Sequence, residues 1–196
     1  MKLHLGCGRD HKEGYINCDI SQEVNPNRIV NLEKILPFKD NSVNEIIINH
    51  TLEHIKNLYQ LMEEFQRICK NKALIKIKVP YFSSESAFST ITHIRFFSLT
   101  SFDFFDKRNP RNYDAPNVNM EVTKKVLHWR KCFIFMELLN KSPKLLRIYQ
   151  EVFCWILPAR ELEVELKIKK KNRADILPRI NSWGSKVSLI SKPLLL

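Results

Sequence analysis

Glycine is scarce in this chain: there are four in 196 residues, and three of them (Gly6, Gly8 and Gly14) fall within the first fourteen. Glycine is needed where backbone turns through positive φ or lies close against a ligand. A chain this poor in glycine that concentrates it after its opening stretch is expected to hold a nucleotide-like ligand there. Long apolar runs are missing too, and no stretch nears the roughly 18 residues of a membrane-spanning helix. The five cysteines (Cys7, Cys18, Cys69, Cys132, Cys154) are odd in number, widely spaced and without a C-x-x-C pair. That argues against a disulfide framework or a structural zinc site, and for reduced thiols in a cytoplasm. Met1 leads into a strand and a glycine turn rather than a basic start and an apolar core, so no secretory signal is expected.

Acidic residues are outnumbered, 21 Asp and Glu against 32 Lys and Arg, for a net charge of +11. Residues 1–80 carry 12 basic and 10 acidic side chains, whereas residues 81–196 carry 20 and 11. The excess therefore belongs to the second half, where it suits phosphates, an anionic glycan or a membrane surface, or forms a plain solvated surface. The length suits one α/β domain with appendages.

Lys2 to Leu5 reads as a first strand, Tyr15 to Ile20 as a second ending at Asp19, and Arg28 to Leu32 as a short third. The link from Arg9 to Gly14 is too short for a crossover helix. Asn44 to Asn49 is a β-branched buried strand, Leu58 to Cys69 has helical apolar spacing, and Lys72 to Val79 is a strand stopped by Pro80. Strand, turn, strand, loop, strand, helix, strand is the order of an open, mostly parallel sheet. Beyond Pro80 come an aromatic-rich stretch to residue 120, a strand over Met120 to Trp129, and an amphipathic helix over Ser142 to Leu157. A strand with Leu162, Val164, Leu166 and Ile168 on one face spans Glu161 to Lys169. The aromatics from Tyr81 to Phe105 read either as core or as the lining of an acceptor pocket.

Four segments in order carry a resemblance: His4-Leu-Gly-Cys-Gly8, Tyr15-Ile-Asn-Cys-Asp-Ile20, Leu36-Pro-Phe-Lys-Asp-Asn-Ser-Val-Asn-Glu-Ile46 and Asn49-His-Thr-Leu-Glu-His-Ile55. Together they resemble the class I S-adenosylmethionine-dependent methyltransferases, and most of all a small bacterial and archaeal subgroup found among surface-glycan genes. The likeness is good over residues 2–105 and weak beyond. It implies a Rossmann-like fold: a mostly parallel twisted sheet with helices on both faces and an antiparallel C-terminal strand. It further implies one domain over 1–170, with 1–80 as the cofactor-binding half and 81–157 as acceptor-site and lid region, since no helices precede the first strand. Residues 171–196 are expected to be a peripheral basic tail. The cofactor-binding set implied is Leu5, Gly6, Cys7, Gly8, Asp19, Ile20, Asn31, Leu32, Asn49 and His50. In it Asp19 takes the ribose hydroxyls, Ile20 packs on adenine, and Asn31 stands where the family commonly has an acidic residue for the adenine amino group.

A dinucleotide fold is disfavoured, because the third glycine is missing and Asp19 comes only eleven residues after Gly8. His50-Thr-Leu-Glu53-His54 has the H-x-x-E-H spacing of one class of zinc hydrolase. That chemistry needs both histidines on one helical face and a third ligand. Here His50 directly follows a buried strand and no later acidic residue stands out, so no metal is expected. Glu53 and His54 are expected to begin or cap the following helix.

His50, at the carboxyl end of its strand, is the first candidate to touch cofactor and acceptor and to take a proton, and His93 is the second. Either could instead be a histidine fixed by the fold. The leading function is a cytoplasmic methyltransferase that methylates oxygen or nitrogen on a small molecule or glycan. The acceptor would be lipid-linked if the Lys144–Leu157 stretch lies at a membrane interface. RNA methylation, prompted by the charge, and a non-catalytic binding protein are the alternatives. No separate RNA-binding module is visible, which disfavours nucleic acid.

Overall fold

The computed structural model describes residues 1–110, 115 and 117–170; the expected basic tail at 171–196 lies outside the described residues. Seven strands form one sheet in the order β3-β2-β1-β4-β5-β7-β6: β1 (Lys2–Leu5), β2 (Ile16–Asp19), β3 (Arg28–Ile29), β4 (Val43–Asn49), β5 (Cys69–Pro80), β6 (Met120–His128) and β7 (Glu161–Ile168). The first five pair in parallel, and β7 runs antiparallel between β5 and β6. The expected mostly parallel sheet with an antiparallel C-terminal strand is the observed one.

The strands bury the residues that their apolar patterning predicts. Ile46 and Ile48 of β4, Ile75, Ile77 and Val79 of β5, and Leu162, Val164, Leu166 and Ile168 of β7 are all fully buried. β1, β4 and β5 are also linked across one face by a charge ladder. In it Glu45 pairs with Lys2 at 3.1 Å and with Lys76 at 2.6 Å. The helix α1 (Leu58–Ile68) covers the core with Leu58, Leu61, Met62, Phe65 and Ile68. Its N-cap is Asn57, whose side-chain oxygen accepts from the Gln60 N–H. Because Asn57 caps the helix, Glu53 and His54 lie outside it, in a separate 3-10 turn over Leu52–His54. This corrects the expectation that they begin the helix.

Two further elements differ from their expected extents. The Val30 N–H still donates to the Asp19 carbonyl, but β3 ends at Ile29 as the Asn31 side chain turns the chain by accepting from the Glu33 N–H (2.9 Å). The stretch expected as one helix over Ser142 to Leu157 is helical over residues 143–153 and changes type part-way. α2 (Pro143–Ile148) gives way to a π-helical turn over Tyr149–Phe153. There the Tyr149 hydroxyl donates to the Leu157 carbonyl (2.8 Å) and accepts from the Ala159 N–H (2.7 Å), pinning the chain as it leads into β7. A run of 3-10 helix over Lys131–Lys141, not foreseen from the sequence, precedes α2.

The aromatic stretch divides. Tyr81, Phe97, Phe102 and Phe105 are buried in the core, while Phe88 and Phe96 stack at 4.6 Å between ring centres and stay exposed. Asp106 fastens the loop after Phe105 to β6. Its carboxylate accepts from the Val122 N–H (3.1 Å) and pairs with Arg108 at 2.6 Å.

Candidate active site

In an open parallel sheet the ligand crevice lies beyond the carboxyl ends of the strands. β1, β2 and β4 end here at a cleft of about 450 Å³. Of the residues expected to bind cofactor, Gly6, Gly8, Asp19, Ile20, Asn31, Leu32 and His50 line it. Leu5 and Cys7 lie beside it with their side chains buried in the core, so only their backbone is offered. Asn49 ends β4, and its carbonyl accepts from the Thr51 hydroxyl (2.8 Å). A larger cavity of about 650 Å³, lined by Val122, Lys124, Leu146 and Arg147, lies between β6 and α2. It is away from the parallel strand ends, so the smaller cleft is the candidate site.

The glycine turn depends on its glycines for conformation. Gly6 and Gly8 both have positive φ, +62° and +50°. A Cβ on Gly6 would collide with the Thr51 side chain, whereas one on Gly8 would point into open space. The Gly8 N–H donates to one oxygen of Asp19 (2.8 Å) and the Ser21 N–H to the other (3.0 Å). Each carboxylate oxygen keeps lone pairs, so the group can also accept from a diol in the cleft. Ile20 is 65 % exposed although apolar, and offers a flat contact to a ring. The acidic residue after β3, Glu33, is already engaged, accepting from the Lys56 (2.6 Å) and Asn57 (3.2 Å) N–H groups.

His50 leaves β4 with φ +47°, an uncommon conformation for a residue with a side chain, and its N–H donates to the Lys78 carbonyl (2.8 Å). Its ring lies between two carboxylates: Nε2 is 3.4 Å from Glu161 and Nδ1 is 3.7 Å from Glu53. Glu161 first and Glu53 second raise its pKa to about 9, against the opposing effect of burial. Both carboxylates thus favour the protonated form of the ring. His93 approaches the same Glu53 from the loop after β5, with Nε2 at 3.9 Å. Glu53, with its side chain 1 % exposed, thus joins the two candidate histidines, and neither of its carboxylate oxygens has a hydrogen-bond partner.

Three contributors were not picked out from the sequence. Thr51 fills the space under Gly6, His54 lines the cleft, and Glu161 pairs with His50. Thr51 and His54 fall within the Asn49–Ile55 segment, so their closeness to His50 is a local signal. Glu161 is brought in only by the antiparallel register of β7 on β5.

Residues 3–77, which hold the glycine turn, Asp19 and His50, match the family described as "Methyltransferase domain". The matched segment is 75 of the 196 residues. The chain is a methyltransferase enzyme with S-adenosylmethionine as its cofactor. Several solved structures share the fold. An S-adenosylmethionine-dependent methyltransferase from Archaeoglobus fulgidus is 14% identical, with a TM-score of 0.58 and 85% of each chain covered. The YcgJ protein of Bacillus subtilis is 16% identical, with a TM-score of 0.55 over 87% of this chain and 92% of that one. A Haloferax volcanii chain, solved in a complex of the Trm112 methyltransferase activator with a methyltransferase, is 15% identical, with a TM-score of 0.57 over 86% and 82%. No curated protein matches the sequence.

Proposed function

We propose that the enzyme methylates an oxygen or nitrogen of a small molecule or glycan that enters from the His50 side of the cleft, and that it serves in surface-glycan synthesis. The observation that carries this reading is the exposed, stacked Phe88–Phe96 pair. It sits on the loop that also brings His93 to Glu53. Flat apolar rings held open to solvent suit the faces of a sugar.

In this reading Gly6 and Gly8 admit the methionine part of the cofactor, Asp19 accepts from the ribose hydroxyls, and Ile20 and Leu32 flank adenine. The backbone of Leu5 and Cys7 completes the floor. Asn31 and Asn49 have side-chain or carbonyl oxygens occupied by Glu33 and Thr51 and act mainly by holding their loops. The cofactor supplies a methyl group on a cationic sulfur; the protein's task is alignment of the acceptor atom. His50, held between Glu53 and Glu161, orients the acceptor as a hydrogen-bond donor. His93 supports Glu53 from the far side, and the region 81–157 closes over the acceptor.

A lipid-linked acceptor is supported by the run from Lys131 to Ile156. It exposes Phe135, Leu138, Ile148, Val152, Trp155 and Ile156 beside Lys and Arg side chains. Such a surface suits a membrane interface. No helix among the described residues is long and apolar enough to cross a membrane.

Calorimetry with S-adenosylmethionine and S-adenosylhomocysteine, followed by transfer of labelled methyl to soluble and lipid-linked oligosaccharides, tests the reading. Binding of both cofactor forms and label in the saccharide fraction are expected. Label found only in RNA would overturn the acceptor assignment.

A further inference from the structure

The methyltransferase reading uses Glu53 only as a neighbour of His50 and His93, and leaves its buried carboxylate without a hydrogen bond. A carboxylate removed from water without a hydrogen-bond partner is destabilising by several kcal/mol, roughly, unless a cation meets it. The nearest nitrogens, His50 Nδ1 at 3.7 Å and His93 Nε2 at 3.9 Å, are too far for charge-assisted hydrogen bonds. Glu53, His54 and His93 nevertheless each place one ligand atom within 4.8 Å of the other two.

We infer that Glu53, His54 and His93 form a binding site for a divalent transition-metal cation of the Zn²⁺ class. The imidazoles are already oriented for it. His93 Nδ1 lies 3.0 Å from the Ala87 carbonyl and His54 Nδ1 lies 3.2 Å from the Thr92 carbonyl. A ring nitrogen facing a carbonyl carries the proton, which leaves Nε2 of each ring as the free donor. This is the outer support that metal-bound histidines ordinarily have. The backbone also locks the pieces together, since the Glu53 carbonyl accepts from the N–H groups of Ile94 (2.9 Å) and Arg95 (3.2 Å). That bond fixes the His93 loop against the 3-10 turn carrying Glu53 and His54. Two imidazoles and one carboxylate suit zinc, and three protein donors leave a coordination position open. Ligands at about 2.0–2.2 Å in a tetrahedron lie about 3.4 Å apart, so the side chains draw in by roughly an ångström at most. The site adjoins the cofactor cleft, which His54 also lines, but it does not depend on the identity of the acceptor.

The H-x-x-E-H spacing thus acts here in a different way from its helical form. Its first histidine is turned off the strand end by positive φ, and the third ligand is His93 rather than a later acidic residue.

The test uses the full-length, untagged chain, stripped with chelator and titrated with Zn²⁺ against a chromophoric competitor. One equivalent is expected to bind at micromolar affinity or tighter, and Co²⁺ in its place is expected to give visible d–d absorption. Glu53→Gln and His93→Asn should each weaken binding at least tenfold and remove the Co²⁺ spectrum. His128→Asn, which alters a histidine paired with Glu163 elsewhere, should leave both unchanged. Circular dichroism identifies a variant that fails to fold. Glu53→Gln keeps the size of the side chain, removes a buried charge that makes no hydrogen bond, and is expected to retain the fold. Absence of stoichiometric binding to the parent chain, or equal binding by folded Glu53→Gln, would overturn the site. Cofactor calorimetry on the metal-free chain separates this failure from failure of the methyltransferase reading.

Discussion

The Asp19 carboxylate and the Gly8 amide, eleven residues apart in the chain, are joined by a 2.8 Å hydrogen bond that fixes the glycine turn to the end of β2. Asp19 therefore shapes the cleft as well as facing its contents. Asp19→Ala should lower S-adenosylmethionine affinity by at least tenfold, since loss of a hydrogen bond to a charged group is about 1.5–3 kcal/mol. Its melting temperature should also fall. An affinity change with no thermal shift would show that the bond to Gly8 carries little.

Gly6 and Gly8 should respond differently to alanine. Either substitution places a side chain at positive φ, at roughly 1–2 kcal/mol. Gly6→Ala adds the collision with Thr51 and should be the more unstable of the two in denaturant unfolding. Gly8→Ala meets open cleft, so its larger effect should be on cofactor affinity measured by calorimetry.

Acid should expose the Asp106–Arg108 pairing. Arg108 and the backbone N–H groups of Arg108 and Val122 pull the Asp106 pKa from its usual value to about 2. A depressed folded-state pKa stabilises above the unfolded value, about 3.9, and that contribution disappears as pH falls through the folded one. In urea titrations Asp106→Asn should be less stable than the parent at pH 6, and the gap should narrow between pH 4 and pH 2. A gap independent of pH would indicate lost geometry rather than lost charge.

Tyr149→Phe removes a buried hydroxyl that both donates and accepts, leaving the Ala159 N–H unpaired. A destabilisation of about 1–3 kcal/mol is expected. If residues 81–157 close over the acceptor, KM for the acceptor should rise more than KM for S-adenosylmethionine. The reverse order would count against a lid in this region.

Thiol labelling should be simple. Cys132 is exposed, while Cys7, Cys18, Cys69 and Cys154 are buried. Burial raises Cys18 to about 11 and Cys69 to about 12. One thiol per chain should react rapidly with a disulfide reagent, and the other four only on unfolding.

The strands and the cleft-lining glycines were legible because each depends on local pattern: alternation in β7, a β-branched run in β4, and a glycine pair after β1. Contacts made across long separations were not. Glu161 reaches His50 over more than a hundred residues, and His93 reaches Glu53 over forty, so neither pairing leaves a spacing that a motif could record. The change from α to π helix after Ile148 was hidden for the same reason. The apolar period continues through Tyr149–Phe153, while the Tyr149 hydroxyl, bonded eight and ten residues ahead, redirects the chain.

The place of β7 between β5 and β6 bears on how the chain is made. β5 is complete by residue 80, but its second partner is not supplied until residue 161. During synthesis, for the length of some eighty residues, the growing chain presents a twelve-residue strand, whose second half alternates apolar residues with lysines, with one side of its backbone unpaired. Such an edge invites pairing with other chains. Products ending before Glu161 should accumulate as aggregates, and a nascent chain should rely on chaperones until its last strand is released.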